Sequence, residues 1–289
     1  MFQNAIENAR CMAAGLFLLG GCAVGAPSPV GESEQSLTTA TAVPIVGYIH
    51  DLSRSRFRIG QATTLEVDLP TMQRWRGSFG AFAVDPTNNA ANAIPNADSP
   101  TGPYLLDVQT HNQMVKDYFI SAGLPADQVA EVQTIYIATG SGSGDSSTRP
   151  VLHSINSILR RAILGVRVIE SIAWAKLTTT GDVDWESVFW PPIDAAVASS
   201  AAAFAASLAD STKHAAFLAK LPGKIYKEGG IVIHHTDPSI HAAPRAYVSF
   251  DAQTEARLSA AMRHFDVNGV EFRLPQEQAA QAASPKRQL

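Results

Sequence analysis

Two stretches rich in β-branched and aromatic residues, Val166–Leu177 and Val183–Trp190, flank the turn-forming segment Thr178-Thr179-Thr180-Gly181-Asp182. An alanine-rich stretch, Ile193–Lys220, follows almost at once. Apolar β-type runs on either side of a Gly-Asp turn predict a hairpin. Pro191-Pro192 removes two backbone donors and ends the second strand. Val197, Phe204, Leu208, Phe217 and Leu218, set among alanines, predict one or two helices divided near Asp210. A hairpin and a small-side-chain helix each have a face to bury, which narrows the architecture to sheet packed against helix.

The remaining segments fit that frame. Val43–His50, Arg54–Ile59, Thr63–Leu69, Phe79–Val84 and Val132–Thr139 read as strands, and Asp85 to Pro103 reads as a long irregular loop. Asp107 can cap a helix running to about Ala122, with Val108, Val115, Tyr118, Phe119 and Ala122 on one side and Gly123 at its end. Val151–Leu164 fits either a helix or a strand. Ile231–His235, Ala246–Phe250 and Val270–Leu274 read as strands, and Asp251 as the cap of a helix through about His264. The expectation is an α+β fold with antiparallel sheet packed against helices, one of them Ala-rich. It spans 42–275, with possible sub-units at 42–140 and 150–275, and a disordered tail at 276–289.

Composition excludes some functions. The 289 residues are 46% hydrophobic and 17% charged, with net charge -4. A nucleic-acid partner wants a strongly basic face, so none is expected. Arg54, Arg56, Arg58, Arg74 and Arg76 form a local basic cluster, read as a solvated strand face in preference to a phosphate or headgroup site. Both cysteines fall within the first 22 residues, so the body has no disulfide, thiol chemistry or Cys-based metal site.

At the N-terminus, Met12–Leu19 is an apolar run too short for a membrane span, which needs about 20 residues. It has the length of a signal-peptide core, and small residues follow. Leu19-Gly20-Gly21-Cys22 resembles the bacterial lipobox at all four positions. The resemblance implies cleavage after residue 21, acyl chains (palmitate among them) on Cys22, and a partner in the lipid bilayer. The family usually carries several Lys or Arg ahead of the apolar run, where this chain has Arg10 offset by Glu7. Residues 22–41 are rich in turn formers and poor in large apolar residues, and read as a flexible tether. Ala23 stands where Asp would mark inner-membrane retention in enteric bacteria, which favours the outer membrane.

Ile163-Leu-Gly-Val-Arg-Val-Ile-Glu-Ser-Ile-Ala-Trp-Ala, with Thr180-Gly-Asp-Val183 after it, resembles a hairpin of PepSY- and FTP-like modules. Arg167 replaces the family's usual proline. The resemblance covers residues 163–183 and implies an extracytoplasmic sheet-with-helix unit, such as a propeptide or accessory domain.

Three clusters could carry chemistry. His234, His235, Asp237 and His241 are the densest set of possible metal ligands, since imidazole and carboxylate suit zinc. They match no established metal spacing, and a strand end with solvated histidines is the plainer account. Gly140-Ser141-Gly142-Ser143-Gly144 follows a strand but fails the phosphate-loop patterns, and reads as a surface loop. Ser141 or Ser143 with His235 and Asp237 could form a hydrolytic triad only if geometry brought them together. Trp174, Trp185, Phe189 and Trp190 are expected to pack on the Ala-rich helix, the sharper alternative being an aromatic groove for a ligand.

The sequence therefore predicts a lipid-anchored bacterial envelope protein with a binding or scaffolding domain, no cofactor, and an unknown envelope ligand or protein partner. The alternatives are a metal-dependent hydrolase using His234, His235, Asp237 and His241, and a peptidase-modulating module.

Overall fold

The computed structural model describes residues 63–69, 72–77, 80–85, 90–95, 106–139, 142–143, 146–147, 151–177, 181, 183–236, 245–256 and 261–283. The leader, Cys22, the tether and the strands expected at 43–50 and 54–59 lie outside the described residues, as do Asp237 and His241.

A meander of β1 (Thr63–Leu69), β2 (Met72–Gly77), β3 (Gly80–Asp85) and β4 (Ala90–Pro95) comes first. Helix α1 (Val108–Ser121) and a single 3-10 turn at Ala126–Gln128 lead into β5 (Val129–Thr139). A small ladder of β6 (Gly142–Ser143) and β7 (Ser146–Ser147) precedes the long β8 (Val151–Ile163), β9 (Val166–Leu177) and β10 (Val183–Phe189). Helices α2 (Ala195–Leu208) and α3 (Ser211–Leu218) follow. The last described elements are β11 (Lys227–His235), β12 (Ala246–Gln253), β13 (Arg263–Phe265), β14 (Glu271–Phe272) and α4 (Pro275–Ala283).

Among the described residues all strands except β6 and β7 join one sheet, and β9 is its hub. One edge of β9 pairs with β8, which pairs in turn with β5. The other edge is shared: Ile172–Leu177 pairs with β10, while Arg167 and Val168 pair in parallel with β11. The changeover coincides with a bulge. Arg160 and Arg161 are consecutive in β8 but lie opposite Ile172 and Val168, so Ile169, Glu170 and Ser171 are extra residues on β9.

Two packing regions result. Around α1, Val115 and Phe119 bury against Phe82, Ala93, Leu159, Ala173, Ala175 and Val188. Asp107 caps α1 by accepting from Thr110 N at 2.9 Å, and Gly123, at φ 111°, supplies the left-handed exit. Around α2 and α3, Ala198 and Ala201 lie on Val166, Val168 and Ile233, where alanines permit close approach. Phe204, Phe217 and Phe250 close the far end in edge-to-face contacts of 5.3 and 5.1 Å. Asp210 ends the first helix and caps the second through Thr212 N and Lys213 N.

The fold is α+β with sheet packed against helices, and Val151–Ile163 is resolved as a strand. Three expectations are corrected. Ala90–Pro95, placed in a loop by its Asn and Pro content, is a strand held between β3 and β10. Asp251 caps no helix: it sits within β12, and His264 within β13, where Asp251 and His264 are directly paired. The tail expected to fray from Gln276 is helical as far as Ala283, in a helix that starts at Pro275, and Glu277 closes its first turn by accepting from Leu274 N at 2.9 Å.

Candidate functional site

Strand alternation puts Val232, His234, Ser249, Asp251 and His264 on one face of β11–β13, opposite the face that Ile233 and Phe250 bury against α2 and α3. There the histidines and carboxylates form a continuous chain. His234 Nε2 lies 3.0 Å from Asp251 Oδ2, and His264 Nδ1 lies 2.9 Å from Asp251 Oδ1. The two imidazoles meet edge to face, 4.7 Å between centroids. Ser249 Oγ donates to Asp251 Oδ1 at 2.5 Å.

A carboxylate waits on the far side of each ring. His234 Nδ1 donates to Glu170 Oε1 at 2.7 Å, and the other oxygen of Glu170 accepts from His235 N at 2.9 Å. The β9 bulge presents Glu170 here. His264 Nε2 reaches Glu277 Oε1 at 3.3 Å, in the first turn of α4. The order is Glu170–His234–Asp251–His264–Glu277, and it crosses three strands, a bulge and a helix.

Burial of His234, Asp251 and His264, each at most 6% exposed, makes these contacts strong. Burial alone would lower the His234 pKa, but hydrogen bonds and charge from Asp251 and Glu170 outweigh it and raise it to about 9. Burial alone would raise Asp251; the bonds from His234, His264 and Ser249 hold its carboxyl below the ordinary range.

His235 is placed differently. Its side chain leaves the opposite side of β11, packs edge to face on Phe189 at 5.9 Å, and is 1% exposed. Burial, reinforced by the nearby Arg161 charge, lowers it to about 3 and keeps it neutral. Consecutive strand residues diverge, so His234 and His235 cannot grip one ion. The expected quartet is not assembled by the described residues. His234 instead joins Asp251 and His264, which the sequence reading had assigned to a helix.

Arg161 is buried beside this region, its guanidinium 5.1 Å over the Trp190 ring. It donates to Pro191 O at 2.6 Å, Gln128 Oε1 at 2.9 Å and Ser171 Oγ at 3.3 Å. Burial lowers its pKa to about 9, which leaves it charged at neutrality. Trp190, 2% exposed, donates Nε1–H to the same Gln128 oxygen at 3.2 Å. It is a core residue, closed to any ligand in this conformation.

A serine–histidine pair lies under α1. His111 Nδ1 is 2.6 Å from Ser157 Oγ, which donates to Asn112 Oδ1 at 2.5 Å. Leu177 N donates to His111 Nε2 at 3.4 Å, so the ring proton sits on Nδ1 and points at the serine. A ring that donates to the hydroxyl cannot deprotonate it, so this is not an activated nucleophile. Burial lowers His111 to about 4.

Trp174 and Trp185 lie on the face of the sheet away from α1, half-buried, with ring centroids 5.6 Å apart. They do not pack on the Ala-rich helix, whose partners come from the other half of β9 and from β11. Cross-strand pairing sets Asn156, Lys176 and Trp185 in one row and Trp174, Ser187 and Asn92 in the next. Asn92 Oδ1, Asn156 Oδ1 and Trp185 Nε1 are shielded from solvent and find no hydrogen-bond partner among the described residues.

Elsewhere, Arg74 and Arg76 both face Glu66, at 3.0 and 2.7 Å on a solvated strand face. Gly142–Ser143 belongs to the β6–β7 ladder, and Ser141, like Asp237, lies outside the described residues. The functional candidates that the sequence reading missed are Glu170, Asp251, His264 and Glu277. Asp251 and His264 carried one available signal: a charged residue and a histidine bordering β-type runs, Ser249-Phe250-Asp251 and His264-Phe265.

No family model matches the chain, and no curated protein matches it. Among solved structures it is similar to the Bacillus megaterium YpeB C-terminal domain, at TM-score 0.31 and 9% identity, over 78% of this chain and 95% of that one. Similarity at that level transfers neither fold nor activity, so the chain's function is argued from its own residues.

Proposed function

We propose that this chain is a lipid-anchored protein of the bacterial cell envelope whose folded domain binds or scaffolds a partner. The address rests on Leu19-Gly20-Gly21-Cys22 and the polar tether after it. Two or more acyl chains on one thiol hold a domain stably at a bilayer where a single chain holds it weakly.

The observation that carries the binding half is the tryptophan face. Three shielded polar atoms with no partner among the described residues, on Asn92, Asn156 and Trp185, lie within two rows of one sheet surface beside Trp174. Each costs about 1–3 kcal/mol while unpaired. Once neighbouring side chains move aside to uncover these atoms, a ligand that accepts from the indole and donates to the two amide oxygens, with an apolar body for the tryptophans, would remove that cost. The buried imidazoles support binding over catalysis: His111 points its proton at Ser157, and His235 is sealed and neutral.

Two measurements test the reading. Cys22→Ser in the native host should move the chain from the membrane fraction to the soluble fraction; retention in the membrane pellet would refute the anchor. Crosslinked capture from envelope extracts should recover partners with the native chain and lose them with Trp174→Ala or Trp185→Ala. Identical recovery with both variants would remove the tryptophan face from the reading.

A second reading, a peptidase-modulating module, draws on the PepSY- and FTP-like sequence of residues 163–183. Within it, Val166–Leu177 forms β9, entered by a tight turn where Leu164 and Gly165 both take positive φ, 49° and 80°. Envelope proteases assayed with and without the purified chain would separate it from simple binding.

A further inference from the structure

We propose that His234 Nε2, His264 Nδ1 and the Asp251 carboxylate form a binding site for one divalent transition-metal ion of the zinc class. This goes beyond the binding reading and does not depend on the tryptophan face. It also departs from the sequence expectation of no cofactor, and of the four ligands that the sequence suggested it keeps only His234, joined by Asp251 and His264.

The geometry is that of a ligand set. Two imidazole nitrogens and a carboxylate converge from three neighbouring strands, their ligand atoms all within 4.8 Å of one another. Metal–nitrogen and metal–oxygen bonds of about 2.0–2.2 Å need donor atoms roughly 3.3–3.6 Å apart around a tetrahedral ion. Two of the contacts already stand at 3.0 and 2.9 Å, so modest side-chain movement suffices. Two histidines and a carboxylate favour zinc and its neighbours over calcium or magnesium, which prefer all-oxygen shells.

The outer contacts point the same way. A metal-bound histidine characteristically donates its remaining ring N–H to a carboxylate, which fixes its orientation and raises its basicity as a ligand. Here both do: His234 Nδ1 to Glu170 and His264 Nε2 to Glu277. A hydrogen-bonded pair between one histidine and one acid would need a single carboxylate. Three carboxylates threaded by two imidazoles leave each ring one outward and one inward nitrogen, with the inward pair directed at the two oxygens of Asp251.

An ion that takes the two inward nitrogens in place of their bonds to Asp251 leaves the outer hydrogen bonds to Glu170 and Glu277 where they stand.

The test uses the full chain with Cys11 and Cys22 alkylated, in metal-free buffer, titrated with Zn²⁺ and separately with Co²⁺. One equivalent should bind, raise the thermal midpoint, and give Co²⁺ the visible d–d absorption of a low-coordinate nitrogen/oxygen site. Asp251→Asn and His264→Gln should abolish binding. Should either fail to fold, Glu277→Gln decides: it keeps an acceptor for Leu274 N and should weaken binding about 10- to 100-fold. The proposal is overturned if the native chain binds no stoichiometric ion, if Asp251→Asn folds and still binds, or if Glu277→Gln leaves affinity unchanged.

Discussion

His234 and His235 are consecutive in β11, yet their pKa values lie on opposite sides of the ordinary imidazole range, at about 9 and about 3. The strand turns one ring toward two carboxylates and seals the other beside Phe189. Stability of the metal-free chain, kept in chelator, should therefore peak near pH 6.5. Between about 4 and 6.5 the unfolded chain protonates His111, His234 and His235, whereas the folded chain protonates only His234 among them. Extra protons on the unfolded side mean that stability falls as pH drops. Between 6.5 and about 9 the folded chain keeps a His234 proton that the unfolded chain has released, so stability falls as pH rises. Denaturation midpoints across pH 4–9.5 measure both limbs, and His234→Gln should flatten the alkaline one.

Arg161 should tolerate no simple replacement. Its planar fork donates to Pro191 O, Gln128 and Ser171 while lying over Trp190. Lysine has the charge without the fork or the stacking plane. Arg161→Ala should cost about 3 kcal/mol or more by leaving these acceptors unpaired, and Arg161→Lys should recover less than half of that, read by chemical denaturation.

Trp185→Phe should be cheap for the fold. The smaller ring loses contact area, but the change also removes a shielded donor with no partner among the described residues, a state that costs about 1–3 kcal/mol. A net loss under about 1 kcal/mol is expected, alongside loss of partner capture. A loss of several kcal/mol would make this indole a structural residue.

Gly229 should prove sensitive because it lies against Asp251. A Cβ there would sit 2.9 Å from Asp251 Cβ and 3.1 Å from its carbonyl oxygen, contacts tighter than packing allows. Gly229→Ala should cost about 1–3 kcal/mol and shift the imidazole NMR signals of His234 and His264, with those of His111 unmoved.

Some of this was legible in the chain because it is encoded over short distances. Asp107 and Gly123 bracket α1, Asp210 divides two helices, and Val183–Phe189 pairs with β9 as its alternation predicts. The histidine–carboxylate chain was not legible, for a physical reason. Asp251 is 17 residues from His234 and 13 from His264, so no local window contains both partners. Within a window, an aspartate after a β-type run looks like a helix cap, because an unpaired buried carboxylate would be prohibitive in a strand. Only the cross-strand imidazoles make it tolerable there. Glu170 was hidden by the β9 bulge, which breaks the alternation that sequence reading assumes, and Glu277 by a tail whose composition suggested disorder.

The three extra residues of β9 have a consequence for how this chain can vary in length. Three is odd, so the bulge reverses parity. Val166 and Val168, at even positions, are buried toward the helices, and beyond the bulge it is Ala173, Ala175 and Leu177, at odd positions. Because β8 runs through without a break, a related chain that lost all three would join Val168 to Ile172 in plain alternation and keep both halves right side out. What it would lose is the acid on the His234 ring, since Glu170 is one of the three.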